Sequence, residues 1–227
     1  MMNLIYFMDY VLEHYSTDAG VRRIVDNCEL YFVPCVNPDG YVYNQTTHPN
    51  GGGMWRKNRR NDAVVQKGVD LNRNYGYQWG LNNGSSGSQS SDTYRGPAAF
   101  SEPESQAIKA LAIQKNFIAS VHHHSYAEIL FYPWDYTDAN CSEAALFRQA
   151  GDSLTACNHY PVQHGKGSLG YLSSGTTPDW MYGDTLLKAK SYSFTNEIGG
   201  NGFWPSRSQI IPLCEEQVLL NMRLAQF

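Results

Sequence analysis

The sequence predicts an α/β protein in which helices flank a largely buried sheet. Two observations carry this. Helical and strand-like periodicities alternate along one chain, and its 227 residues, 42% hydrophobic and 13% aromatic, suffice for a sizeable core. Neither an internal repeat nor a clean linker divides the sequence, so residues 1–227 are expected to form one domain.

Each element has its own signal. "MMNLIYFMDYVLEHY" places Leu4, Ile5, Phe7, Met8, Val11 and Leu12 among Asp9, Glu13 and His14, the spacing of an amphipathic helix. "ELYFVPCV" (29–36) predicts a buried strand, closed by a turn at "NPDG" (37–40). From there to about residue 100 the sequence is loop-rich, with polar glycine- and serine-rich segments at 49–53 and 82–92. Ser101 and Glu104 predict a capping box and a helix to about Lys115. "FIASVHHH" and "EILFYPW" predict two strands. Residues 142–157 predict a helix, 179–187 a shorter one, 190–199 a strand entering a glycine turn, and "PLCEEQVLLNMRLAQF" a closing helix.

Composition excludes several functions. A formal net charge of −4 and a pI near 5.9 leave no electrostatic footprint for nucleic acid. The one basic cluster, "WRKNRRN" (55–61), is short. No segment is long enough to span a membrane, and the first residues lack the basic start and cleavage site of a signal peptide. Five cysteines, at 28, 35, 141, 157 and 214, form no CxxC and leave at least one thiol without a partner in the chain. If 142–157 is one helix, Cys141 and Cys157 lie roughly 24 Å apart at 1.5 Å per residue, too far to bond.

"VHHHSYAEILFYPW" (121–134) raises the question of a metal. On a strand His122 and His124 share a face and His123 points away, so at most two can meet one ion. A hydrogen-bonded or exposed histidine run is the plainer reading; an HxH metal site at a strand end is the other. His14, His48, His159 and His164 form no HxxE or HxxxH pair, the helical spacings that set two ligands on one face. Glu197 is notable because a carboxylate at the end of an apolar strand is seldom unpaired.

Five stretches in order, "WRKNRRN", "GVDLNRNY" (68–75), "VHHHSYAEILFYPW", "TPDWMYG" (177–183) and "YSFTNEIG" (192–199), resemble the zinc metallocarboxypeptidases related to carboxypeptidase A. "TYRGPAAFSEPES" (93–105) and "GFWPSRSQIIP" (202–212) agree, and "DWMYG" and "FWP" are similar to the bacterial branch. The resemblance spans nearly the whole chain. It implies a three-layer sandwich with a mixed sheet, and a Zn2+-dependent enzyme that removes the C-terminal residue of a peptide or protein. It implies His124 as the zinc ligand, Glu197 as general base and Arg59 as the oxyanion arginine, with Arg56 a neighbouring cation. It implies Asn72 and Arg73 as the clamp on the substrate carboxylate, for which arginine's planar fork is suited. Tyr171 would be a mobile lid and Tyr126 would line the subsite one residue upstream. Pro178, before Asp179, would lie at the base of the specificity pocket and favour neutral or apolar C-terminal residues. The family is usually exported, which implies a secreted or periplasmic protein.

The family's other two zinc ligands form an HxxE motif, and this sequence has none. The resemblance therefore implies the family's domain without its first part and its N-terminal strands, binding zinc weakly or not at all as an isolated chain. The alternative is a non-catalytic module that holds peptide C-termini. An HxH hydrolase of another fold would need further ligands downstream, and none is evident.

Overall fold

The computed structural model describes residues 1–200 and 202–226, without the side chains of residues 168 and 169. Four strands, β1 (Ala119–His124), β2 (Ile129–Phe131), β3 (Val162–Gln163) and β4 (Tyr192–Glu197), form one sheet in the order β1-β4-β2-β3. β1 runs parallel to β4, β4 antiparallel to β2, and β2 parallel to β3, so the sheet is mixed. The helices among the described residues are α1 (Met2–His14), α2 (Ala19–Asn27), α3 (Pro38–Thr47), α4 (Pro103–Lys115), α5 (Ala144–Leu154), α6 (Lys166–Leu169), α7 (Thr177–Gly183), α8 (Ile210–Glu215) and α9 (Val218–Leu224).

Strand alternation explains the layers. Val121, His123, Phe194 and Asn196 face α5 and α9; Ser120, His122, His124 and Glu197 face the opposite side, where α7 packs on β1 and β4. Leu130, Phe147, Phe194 and Leu220 are fully buried in the central core. The Phe147 ring meets those of Tyr132, Tyr182 and Phe194 at 5.6, 5.1 and 5.2 Å. Each such side chain contributes about 1.5–3 kcal/mol through burial. Tyr75, Ala112, Trp180 and Met181 form a second cluster between α4 and α7, and Phe7, Val11 and Val21 a third beneath α1 and α2. The flanked mixed sheet expected from the sequence is observed.

Four local expectations are corrected. Residues 29–36 form no strand and are half-exposed or exposed. A strand needs a ladder partner, and no backbone hydrogen bond joins this segment to another among the described residues. Its side chains hold it instead, Phe32 against Phe7 and Tyr31 against Phe117. "NPDG" is not a free turn but the start of α3: Asn37 caps it, accepting from the Gly40 N–H at 3.0 Å, and Pro38 occupies its first turn. Ser101 forms no capping box. Its hydroxyl donates to Glu102 Oε1 at 2.7 Å and accepts from Asn74, and Glu102 is the N-cap of α4. The closing helix is divided at residues 216–217, where buried Gln217 accepts from Asn196 at 2.7 Å. All five cysteines are free thiols.

Candidate active site

β1 and β4 end together, with His124 directly opposite Glu197. Adjacent strands are about 4.8 Å apart, and in register both side chains leave the same face. Both line a cavity of 1530 Å³, with Arg56, Arg73, Asp135 and Tyr171 around them. The cavity also extends along the outer edge of β1 to residues 29–36.

The arginines are positioned by one acidic residue. Asp70 caps a 3-10 turn at Leu71–Arg73, accepting from the Asn72 N–H at 3.1 Å, and pairs with Arg56 at 2.9 Å. Asn72 Oδ1 accepts from the Thr177 N–H at 3.0 Å and from its hydroxyl at 3.2 Å. That fixes the amide and leaves its –NH2 without a hydrogen bond among the described residues. Arg73 is only 4% exposed. One of its nitrogens donates to the Asn72 carbonyl at 2.7 Å, while its Nε is buried without a partner among the described residues. No carboxylate pairs with Arg73 among the described residues. A buried guanidinium without a direct carboxylate partner is costly, and an anion bound in the cavity would relieve that cost.

The titrating groups are displaced from their usual values. Burial pushes the Glu197 carboxyl up to about 7, against the opposing pull of Arg56, with Asp135 adding to the rise and Arg73 opposing it. Burial lowers His124 to about 4, helped by Arg56 and Arg73, so its imidazole is neutral at neutral pH. His122 and His123 are also held neutral by burial, each at about 3. His122 contacts Ser193 Oγ at 3.1 Å, and His123 contacts Asn221 and Asn196, both at 3.1 Å. The His124 ring alone of the three makes no hydrogen bond among the described residues.

These donors do not amount to a zinc site. A neutral imidazole is the form that binds metal, but structural and catalytic zinc both require at least three protein ligands. Among the described residues no group of three or more His, Cys, Asp or Glu is placed to hold a metal ion. His124 is suited to be one ligand and not to be the site.

The remaining expected residues divide. Tyr126 and Phe203 line the cavity, their rings edge-on at 4.8 Å, and half-exposed Tyr171 borders it. Arg59 is not brought to the cavity wall: its guanidinium stacks over Tyr43 at 3.7 Å and Trp55 at 4.5 Å. Arg56 holds the cavity position instead. Pro178 and Asp179 are buried in α7 and do not line the cavity. Asp179 accepts from the Asp135 N–H at 2.9 and 3.1 Å and from the Tyr136 N–H at 3.2 Å, so it supports the turn after Trp134. That turn carries Asp135, which sequence reasoning missed. Its signal was an acid directly after the aromatic run "FYPW".

Fold and site together define a class, an α/β domain with a mixed, helix-flanked sheet and a buried arginine that shares a cavity with a glutamate at a strand end. The chain belongs to the zinc carboxypeptidase family, a family of peptide hydrolases, which it matches over residues 2–219. It is 35% identical over 219 residues to metallocarboxypeptidase A of Arthroderma otae, covering 90% of this chain and 50% of that protein. It is 34% identical over 227 residues to carboxypeptidase B of Bos taurus, covering 94% and 52%. Among solved structures, thrombin-activatable fibrinolysis inhibitor superposes with a TM-score of 0.87 at 28% identity, over 99% of this chain and 57% of that one. The chain spans about half the length of these curated relatives.

Proposed function

We propose that the protein is an exported metallocarboxypeptidase that acts on peptide or protein C-termini, and that this chain carries its substrate-recognising wall. The observation that carries the reading is Arg73: a buried guanidinium whose Nε has no partner among the described residues, next to an Asn72 –NH2 that makes no hydrogen bond among them, and sharing a cavity with Glu197. A terminal carboxylate supplies the missing anion bidentately. Its peptide bond then lies toward Glu197, whose raised carboxyl matches a general base that takes a proton from water and returns it to the leaving amine. Arg56, held by Asp70, faces the developing oxyanion. Tyr171 closes over the terminal residue, and Tyr126 contacts the residue before it.

Zinc in this family polarises the scissile carbonyl. Its complete ligand set needs donors beyond those the described residues bring together, so the isolated chain is metal-poor and slow or inactive. A second reading, a non-catalytic module for peptide C-termini, is favoured by that same donor count. Both readings share one test. Short peptides with a free terminal carboxylate bind the 227-residue protein, and their C-terminal amides do not. Arg73→Met costs about 2 kcal/mol or more, a factor of roughly 30 in Kd. Equal affinity for acid and amide would refute both readings. Glu197→Gln separates them, because it removes hydrolysis by metal-supplemented protein while leaving peptide affinity within about twofold.

A further inference from the structure

Resting on the reading of Glu197 as general base, we infer that His123 and Asn196 are positioning residues: a hydrogen-bonded pair on the back of the sheet that fixes where Glu197 stands. The two oppose each other in register, one residue before the pair of His124 and Glu197. Their side chains leave the sheet on the α5 and α9 side, the face opposite to that of Glu197.

The pair belongs to a chain of hydrogen bonds whose direction is set at one end. Glu216 Oε1 accepts from the Tyr160 hydroxyl and from Gln217 Nε2, the latter at 2.9 Å. That turns Gln217 Oε1 toward Asn196, whose –NH2 donates to it at 2.7 Å. The same –NH2 donates to His123 Nδ1 at 3.1 Å, so the proton of the neutral ring sits on Nε2. Nε2–H donates to Asn221 Oδ1 at 3.1 Å, and Asn221 Nδ2 donates to Asn3 Oδ1 at 3.3 Å. Each amide therefore has one orientation and His123 one tautomer. Asn196 and Gln217 are fully buried, and Asn221 and Asn3 nearly so.

Glu197 is held between two points of this chain. Asn196 precedes it, and two residues after it the Gly199 N–H donates to Tyr160 Oη at 3.2 Å. Between them the Ile198 N–H donates to the His124 carbonyl at 3.0 Å. β1 is an edge strand among the described residues, so its end is fixed only from the β4 side, and the His123–Asn196 bond adds to that hold. Val121 and Phe194 on the same face belong to the apolar core. Apolar residues at 123 and 196 would pack there without needing partners, and a buried polar chain adds little net stability over them. Directional bonds supply a single geometry instead, and the element that receives it is the strand end carrying Glu197.

Nuclear magnetic resonance of the 227-residue protein with isotope-labelled histidine and glutamate tests this at neutral pH. In the wild type His123, assigned by its loss in His123→Leu, is expected as the Nε2–H tautomer. The Glu197 carboxyl resonance, assigned by Glu197→Gln, is expected to move by more than its linewidth in His123→Leu. Gln217→Met cuts the chain on the far side of Asn196 without altering either strand, and is expected to move that resonance too. His123→Gln offers an oxygen to Asn196 and an N–H to Asn221, and is expected to restore the wild-type position. Cooperative thermal melts show which variants are folded. An Nδ1–H tautomer in the wild type overturns the inference whatever the variants do. A Glu197 resonance unmoved in folded His123→Leu or Gln217→Met overturns it as well. So does a displacement that folded His123→Gln fails to reverse, because packing rather than hydrogen bonding then accounts for the histidine. The general-base reading fails separately, if Glu197→Gln leaves hydrolysis by metal-supplemented protein unchanged.

Discussion

At the scale of single residues, the site depends on charged groups held in low-dielectric surroundings. Asp135 has a consequence for stability. Its carboxyl is raised to about 6 by burial, above its unfolded value, so the folded state holds the proton more tightly. Such a group favours folding at low pH and disfavours it as pH climbs from about 4 to about 6. Asp135→Asn is therefore expected to raise Tm above pH 6 and to change it little near pH 4. Thermal melts of both proteins across pH 4–8 check this, and a wild-type protein more stable than the variant at pH 7 would contradict it. Residue roles were only partly legible from sequence. Strand alternation separated His123 from His122 and His124. Nothing in "WRKNRRN" showed that Arg59 would stack on Tyr43 and Trp55 while Arg56 paired with Asp70.

At the scale of elements, backbone geometry sets the proposed clamp. Gly175 adopts φ +71°, and a Cβ there would lie 2.6 Å from the Arg73 carbonyl oxygen. Its own carbonyl accepts from the Tyr75 N–H at 3.0 Å, joining the loop before α7 to the turn that carries Asn72 and Arg73. Gly175→Ala is expected to cost about 1–2 kcal/mol for the left-handed backbone alone, more with the clash. Because the displaced atom belongs to Arg73, peptide affinity should fall with stability. Denaturant melts and peptide titration of the variant check both, and unchanged affinity would show the clamp to be independent of this loop. Periodicity revealed β1, β2, β4, α1 and α5, whose patterns are set by local burial. It misjudged 29–36, an apolar segment that has no ladder partner among the described residues, and it missed two-residue β3, which is too short to carry a period.

At the scale of the whole molecule, the edges of the sheet and the metal question come together. The outer edge of β1 and residues 29–36 both border the large cavity, and neither makes ladder hydrogen bonds there among the described residues. Amides of 29–36 are expected to exchange with solvent far faster than those of β4, which is bonded on both sides. Exchange mass spectrometry checks this; protection of 29–36 equal to that of β4 would contradict it. The fold class was legible because alternating elements and a broad apolar fraction are spread along the chain. Family membership rested on several motifs in order.

In the proposed function this chain contributes a peptide-binding wall and one candidate zinc ligand, His124, with no further metal donors beside it among the described residues. Zinc content of the purified 227-residue protein, measured by elemental analysis after dialysis against a weak chelator, tests it most directly. Well under one zinc per chain is expected, with peptide acids still bound through Arg73. One tightly held zinc per chain, lost in His124→Ala, would contradict it by showing that the chain's own residues complete the site.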